Sequence, residues 1–423
     1  MLKPVLSVLI ILCLLPLDII ASDEPFILGA DISWIPQREA GGVRYADNGV
    51  VKDVFEILKD HRFNWIRLRL FVDPTAVIPG EEESPYSPEG FCGLEKSREM
   101  AKRIKAAGMK FLLDFHYSDT WADPAKQYKP MSWSNLSFNQ LTAKVRSYTR
   151  ECLQAFKSDG TLPDMVQVGN EIVGGMIWPD GRINNMSNFA ALVNAGIDGV
   201  KDVSSDIRIM IHSISENSPS NWLRNLKNAG VNRIDVFGLS YYSQWHGTTD
   251  NLKSMLTAVA ANHNEKIVVV EYADNHERVN DIVFDLPDEK GLGTFVWEPC
   301  DWMDALFDWR NNRRETNSRI DIYPRLSEEY GNDDIVTADK DLSPALFDNS
   351  QRAIFRLGQD GVLRYFSQSP ATVSIYTFQG RMAGQYRILS PGEIRFPVKN
   401  SGSYIMTIES GDLKYRSRIT LKK

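Results

Sequence analysis

The chain has 423 residues, 43% of them hydrophobic, and a formal net charge of −7 at pH 7. That length exceeds one average domain and suits one large barrel with a small appendage, with ample apolar content for a sizeable core. The acidic balance excludes a general nucleic-acid binder, which needs a basic surface to neutralise phosphates.

The first predicted element is an export signal over residues 1–22. Met1 and Lys3 precede the apolar run Val5 to Leu17, which is shorter than the ~20 residues of a membrane-spanning helix, and Ala21 or Ser22 offers a small residue for cleavage. Leu12 stands before Cys13, where a lipoprotein would need a small residue. The mature chain starts near Asp23 and retains Cys92, Cys152 and Cys300, an odd number without metal-like spacing. At most one disulfide can form, and three buried thiols are expected.

From Phe26 onward strand and helix signals alternate. Eight strand-like runs are expected at Phe26 to Ile32, Asn64 to Phe71, Lys110 to His116, Met165 to Gly169, Ile207 to Ser213, Asp235 to Tyr242, Lys266 to Glu271 and Gly293 to Trp297. Helix-period segments lie between them, at Val51 to Lys59, Glu95 to Ala107, Leu141 to Phe156, Asn188 to Val203 and Leu252 to Asn262, and Gly108 and Gly230 stand at expected helix ends. Such alternation implies parallel pairing, and eight units imply an α/β fold, a closed (β/α)8 barrel over residues 23–332. The open-sheet alternative would show a Gly-rich phosphate loop after its first strand, and "GADISWIPQREAGG" is not one.

A barrel puts function at the C-terminal ends of its strands. The third strand leaves the core through "LLDFHYSDTWADP", which begins apolar and then presents His116 and Trp121. The fourth ends in "MVQVGNEI", with Asn170 and Glu171, and the seventh in "KIVVVEYA", with Glu271. Two carboxyls rising from opposite walls of one mouth suit a pair working on a glycosidic bond from two sides. Ten Trp and fifteen Tyr are mostly core, with some available as platforms for the apolar faces of pyranose rings.

After Tyr330, "GNDDIVTADKDLSP" is polar and acidic, and residues 333–344 read as a linker. Over residues 345–423 the runs "VSIYTF", "GEIRFPV", "GSYIMTIE" and "KYRSRITLKK" alternate with period two, which predicts a small antiparallel β-sandwich.

The blocks "GADISWIPQREAGGVRYADNG", "NWIRLRLFVDP", "LDFHYSDTWADPAKQ", "VQVGNEI", "MIWPDGR", "GLSYYSQWHG" and "FVWEP" occur in order from about Gly29 to about Tyr330. The chain resembles the arabinogalactan endo-β-1,4-galactanases, retaining glycosidases on (β/α)8 barrels. The resemblance implies that Glu171 is the general acid/base and Glu271 the nucleophile, that Asn170 reaches the sugar 2-hydroxyl, and that Arg67 lies near the nucleophile. It implies that Tyr242 hydrogen-bonds the nucleophile, that Trp297 floors the subsite on the non-reducing side of the cut, and that His116 and Trp121 hold galactose. Relatives more often have Thr or Ser at Tyr272 and Ala273 and Trp at Phe71, which bears on subsite preference. The resemblance implies no metal or organic cofactor in the chemistry. Some bacterial relatives bind calcium in a long loop after the seventh strand; here only about twenty residues separate Glu271 from the eighth strand, and so short a loop leaves calcium open but unsupported.

The expected partner is a polysaccharide, β-1,4-galactan, acted on by an exported, monomeric enzyme at the cell surface or outside it, or in the periplasm. Two other functions stay open: a catalytically inactive glycan-binding barrel, and the same mechanism on another β-linked polysaccharide such as mannan. The C-terminal region resembles the sorting domains of type IX secretion at Ile375, Tyr376, Gly380, Arg381, Gly402, Ser403, Tyr404 and the terminal Lys residues, which implies secretion machinery as a second partner. The rival reading is a carbohydrate-binding module, opposed by the scarcity of exposed-looking aromatics beyond Tyr365, Phe366 and Tyr376.

Overall fold

The computed structural model describes residues 24–215, 218–302 and 305–332, and further on 345–347, 353–357, 362–365, 370–377, 382–389, 391–395, 402–410 and 413–421. Residues Phe26–Ser327 form one compact unit, and Glu328–Lys423 belong to a second. The expected signal segment and linker, Phe366, Gly380, Arg381 and the last two Lys residues lie outside the described residues.

All eight expected barrel strands form: β1 (Ile27–Asp31), β2 (Trp65–Leu70), β3 (Lys110–Phe115), β4 (Met165–Val168), β5 (Arg208–Ile214), β6 (Val236–Ser240), β7 (Lys266–Tyr272) and β8 (Gly291–Trp297). They close into a parallel barrel because β1 pairs with both β2 and β8. Nearly every strand residue is buried, which explains their continuous apolar runs: one face fills the barrel and the other meets the helices. The lower interior is an apolar plug in which Ile27, Trp65, Leu112, Met165, Met210, Val236 and Phe295 pack together.

Seven helices return the chain between strands: α1 (Val54–Asp60), α2 (Leu94–Ala106), α3 (Phe138–Ser158), α4 (Met186–Lys201), α5 (Pro219–Asn228), α6 (Thr249–Asn262) and α7 (His276–Phe284). In α3, Leu141, Val145, Thr149, Cys152 and Phe156 recur at helical spacing on the buried side, and a Ser137–Gln140 capping box satisfies the first-turn N–H groups. Gly108 and Gly230 follow α2 and α5 at φ 71° and 100°, a conformation that side chains disfavour. One expectation is corrected: Val51 and Lys52 belong to a short strand, Val50–Lys52, and the helix begins only after Asp53, whose carboxylate accepts the Phe55 N–H. That strand joins Tyr45–Asp47, Phe307–Arg310 and Arg313–Thr316 in a separate four-stranded sheet. Cys92, Cys152 and Cys300 are free, buried thiols.

The C-terminal unit contains two four-stranded antiparallel sheets. One joins β9 (Ala345–Phe347), β10 (Ala353–Leu357), β11 (Val362–Tyr365) and β14 (Gly392–Arg395); the other joins β12 (Ala371–Thr377), β13 (Met382–Ile388), β15 (Gly402–Ser410) and β16 (Leu413–Leu421). Leu363, Val373, Ile375, Met406 and Ile408 are buried, and Tyr365 Oη lies 2.9 Å from Ser410 Oγ, tying β11 to β15. Tyr365 is therefore a core residue rather than an exposed aromatic.

One close approach in the barrel is between Gly29 and Phe295, paired across β1 and β8; a Cβ on Gly29 would stand 2.3 Å from Phe295 Cδ1. Gly29→Ala is expected to cost about 1–3 kcal/mol by overpacking. Phe295→Leu should relieve part of that cost, so thermal unfolding of the double variant should show a loss smaller than the sum of the single ones. Simple additivity would show that the ring does not set this constraint.

Candidate active site

Above the apolar plug the barrel becomes polar, and one cation organises it. Arg67, on β2, is fully buried and uses all five of its N–H groups: Nε donates to Gln167 Oε1 (3.2 Å), Nη1 to Asp31 Oδ2 (3.0 Å) and Glu271 Oε1 (2.8 Å), and Nη2 to Asp114 Oδ2 (2.8 Å) and Asn170 Oδ1 (2.9 Å). Those partners come from β4, β1, β7 and β3 and from the turn after β4. Burial works against the guanidinium's charge, but the Asp114, Glu271 and Asp31 carboxyls more than offset it, so Arg67 holds its proton more firmly than in water.

Glu271 lies near the end of β7 with both oxygens held. Arg67 grips Oε1, and Tyr242 Oη donates to Oε2 at 3.0 Å. Burial pushes the carboxyl up from its ordinary pKa, Arg67 pulls it down, and Asp31 and Asp114 push it up again. Tyr242, raised far above the ordinary phenol range by burial and then by Glu271 and Glu171, stays a donor.

Glu171 follows Asn170 at the end of β4, in the left-handed backbone region at φ 46°, ψ 48°. Such a conformation costs a non-glycine residue about 1–3 kcal/mol and persists where surroundings over-determine it. Here the Glu171 N–H donates to His212 Nδ1 (3.3 Å), Gln127 Nε2 donates to Asn170 O (2.8 Å), and Asn170 Nδ2 donates to Ala122 O (2.8 Å). His212 Nδ1 lies 3.0 Å from Gln167 Nε2 and 2.9 Å from Asn170 Oδ1, and its Nε2 lies 2.8 Å from Ser240 Oγ, so the ring links the Arg67 network to Ser240 whichever nitrogen bears the proton. Burial holds His212 neutral, reinforced by Arg67. Ser240 in turn hydrogen-bonds the Glu171 carboxyl. That carboxyl is raised well above its ordinary pKa, first by burial and then by the charge of Glu271.

A second tier stands over β8, β1, β2 and β3. The Arg69 guanidinium lies 4.5 Å from the Trp121 ring centroid, 5.1 Å from Trp297 and 5.3 Å from Trp34. Its Nη1 donates to Glu298 Oε1 (2.8 Å), which also accepts the Trp34 N–H (3.0 Å). Trp121 and Trp297 retain partly exposed rings, 6.1 Å apart, and Phe71 and Tyr86 brace Trp121. His116 turns both ring nitrogens to the protein: Nδ1 accepts the Ala122 N–H (3.1 Å), and Nε2 lies 3.0 Å from Asp114 Oδ2, off the direction of a hydrogen bond. It holds the turn of the loop that carries Trp121.

Glu171, Glu271, Asn170, Arg67 and Tyr242 are thus gathered into one network, with Trp121 and Trp297 beside it. Asp31, Asp114, Gln167, His212, Ser240, Arg69 and Glu298 were not anticipated. Their signal was available: polar residues at core-facing positions inside strands buried on both faces need partners, and a cluster of them at one barrel end marks the site. Among the described residues no group of three or more His, Cys, Asp or Glu side chains is arranged to hold a metal ion.

A closed parallel barrel whose C-terminal mouth presents one carboxyl from β4 and another from β7 defines the protein's class as a (β/α)8 glycoside hydrolase. The sequence profile of glycosyl hydrolase family 53 matches residues 27–282, and the chain belongs to that family. It is 38% identical to an uncharacterised protein of Niallia circulans, over 68% of this chain and 87% of that one. It is 33% identical to the endo-β-1,4-galactanase of Bacillus subtilis, over 66% of this chain and 71% of that one. Among solved structures, the family 53 catalytic domain of Ignisphaera aggregans superposes with a TM-score of 0.64 at 32% identity, covering 73% of this chain and 98% of that one.

Glu298 yields a pH test. Burial pushes its carboxyl up to about 8, with Arg69 opposing, and its Oε2 has no hydrogen-bond partner among the described residues. Unfolded, the group titrates near ~4.3. The folded state therefore keeps a proton that the unfolded state releases, so this group's contribution is full below ~4.3 and is lost as pH rises through about 8. Glu298→Gln removes that titration, and the melting temperature of the variant minus that of the native protein should increase between pH 5 and 9, by roughly 3 °C. A flat difference would mean that Glu298 is ionised throughout as the fixed partner of Arg69.

Proposed function

We propose that the protein is an endo-β-1,4-galactanase that cuts the galactan side chains of pectin with retention of configuration. The observation that supports this most strongly is the unequal treatment of its two carboxyls. Glu271 has a cation at 2.8 Å and a phenol donor at 3.0 Å, while Glu171 has neither and feels the charge of Glu271. A proton shared by the pair therefore rests on Glu171. The substrate class rests on family 53 membership and on the galactanase activity for which relatives such as the Bacillus subtilis protein are named.

In the first step Glu271 attacks the anomeric carbon, the glycosidic C–O bond breaks, and the leaving oxygen takes the proton of Glu171. The Glu271 charge is consumed in the glycosyl ester, so the force that raised Glu171 disappears and its ionised form becomes stable. In the second step Glu171 removes a proton from water, whose oxygen displaces Glu271 and restores the starting charges. Ser240 suits both stages, since its hydroxyl can accept from protonated Glu171 and donate to ionised Glu171, with His212 Nε2 held 2.8 Å from its oxygen. Tyr242 and Arg67 receive the carboxylate again when Glu271 leaves. The partly exposed rings of Trp297 and Trp121 would form the sugar platform on the non-reducing side.

We also infer that the enzyme is exported, from the charged and apolar start of its sequence, and that the C-terminal unit serves sorting. The Ile-Tyr and Gly-Ser-Tyr positions that support the sorting reading fall on β12 and β15.

The experiment is hydrolysis of galactan, mannan and xylan by the purified protein together with azide rescue of two variants. Galactan alone should yield oligosaccharides. Glu171→Ala should lower kcat on galactan about 10²–10⁴-fold, and on an activated aryl galactoside azide should restore turnover with β-galactosyl azide as product. Glu271→Ala should give the α-azide, because azide then enters directly from the face the nucleophile has vacated. Reversed anomers would exchange the two roles, and activity on mannan rather than galactan would overturn the substrate class.

A further inference from the structure

We propose that Tyr272 is a positioning residue: anchored outside the barrel wall, its hydroxyl locks a β-bulge that turns Glu271 into the active site. This rests on the galactanase reading and deepens it, by naming what aims the nucleophile.

The bulge lies in the pairing of β7. On one side Val269 pairs with Leu239 of β6 and Glu271 with the next residue, Ser240, so Val270 is the extra residue. On the other side Val269 pairs with Thr294 of β8 and Tyr272 with Val296, so Val270 and Glu271 together face Phe295 alone. One extra residue breaks the alternation of a strand's side chains and re-aims those that follow. Val268 and Val270 belong to the apolar plug inside the barrel. Strict alternation would then point Glu271 outward to the helices and Tyr272 inward to the cleft. The structure shows the reverse. Glu271 reaches Arg67 and Tyr242 inside, and Tyr272 is fully buried against α7 and α8 (Ile322–Glu329). Val270 and Glu271, two successive residues, therefore both face the interior.

The far side of the wall holds this arrangement. Tyr272 Oη accepts from Asn280 Nδ2 of α7 at 3.0 Å, and it lies 3.0 Å from Tyr323 Oη of α8 and 3.3 Å from Thr294 Oγ1 of β8. Those partners are joined in turn: Thr294 Oγ1 donates to Asn280 Oδ1 (2.7 Å), Asn280 Nδ2 also donates to His276 O (2.8 Å), and His276 Nδ1 lies 3.1 Å from Tyr323 Oη. Tyr272, Asn280, Thr294 and Tyr323 are sealed from solvent, where a polar group without a partner is costly, so the network favours one placement of the phenol. On the β6 side the Glu271 carbonyl accepts the Tyr241 N–H at 2.8 Å. A return of β7 to regular alternation would bury the Glu271 carboxyl among helices and pull the phenol from all its partners. Tyr272 has no surface in the cleft, so it acts on the reaction through Glu271 and not on a sugar.

The test compares the native enzyme with Tyr272→Phe, Thr294→Val and the double variant. Each single change removes one hydroxyl and keeps the outline of the side chain. A loosened bulge lets Glu271 drift from Arg67, so in Tyr272→Phe kcat on galactan should fall about tenfold, less than the ~10²-fold cost of a ~1 Å misplacement, with KM held within about twofold. Arg67 is what pulls the Glu271 carboxyl down, so the acid limb of kcat/KM and the ¹³C titration of Glu271 should both move to higher pH. Thr294→Val should act in the same direction and less strongly, and the double variant should lose little more than Tyr272→Phe, because both changes open one network. A Tyr272→Phe enzyme with a lowered melting temperature but native kcat and native Glu271 titration overturns the proposal, since the network would then serve stability alone. A double variant whose loss in kcat is the product of the single losses overturns it as well. A native enzyme inactive on galactan sinks the galactanase reading instead, and the Glu271 titration in the variants still decides the lock.

Discussion

The five hydrogen bonds of the Arg67 guanidinium are the constraint on which the rest of the site depends. Taking that cation out of water costs several kcal/mol, recovered only if every N–H finds a partner and acceptors of opposite charge surround it. Asp31, Asp114 and Glu271 supply the charge, and Gln167 and Asn170 supply the remaining acceptors. Lysine could not substitute, because a compact ammonium has three donors and no planar fork to span four strands. The same bonds fix the register of the barrel mouth: Asp31 pairs with Arg67 across β1 and β2, and Asp114 with Gln167 across β3 and β4.

From that cation the two glutamates acquire different chemistry without differing in kind. Both are pushed upward by burial, but only Glu271 touches Arg67 and Tyr242. Glu171 instead meets a neutral relay, Ser240 and His212, held neutral by burial and by Arg67 itself. The left-handed turn at Glu171 is the structural cost of aiming that side chain; a matching left-handed residue, Glu298 at φ 38°, ends β8 under the tryptophan tier. Strain thus concentrates where strands end and chemistry begins.

Much of this was legible in the sequence. Strands buried on both faces read as unbroken apolar runs, so all eight could be placed within about two residues of their ends. The acids terminating "MVQV" and "IVVV" stood out against those runs, and so did the aromatic loop after β3. The partners of Arg67 were hidden for a physical reason: Asp31 and Glu271 lie 36 and 204 residues away, and their meeting is a consequence of barrel closure, which no local pattern encodes. Val50–Lys52 was misread because its apolar residues run straight into α1, and only the Asp53 cap separates them. His116 and Tyr365 looked like exposed recognition groups but are interior hydrogen-bonding residues.

The central claim is that the charge of Glu271, anchored by Arg67, keeps the proton on Glu171. The most direct measurement is titration of the Glu171 side-chain carboxyl by ¹³C NMR in the free enzyme, assigned by its loss in Glu171→Gln, and repeated in Glu271→Gln. The expected result is a Glu171 pKa well above the ordinary carboxyl range in the native enzyme, falling by about one unit or more when the Glu271 charge is removed and staying partly raised by burial. A Glu171 carboxyl that titrates in the ordinary range, or one whose pKa is unmoved in Glu271→Gln, would contradict it.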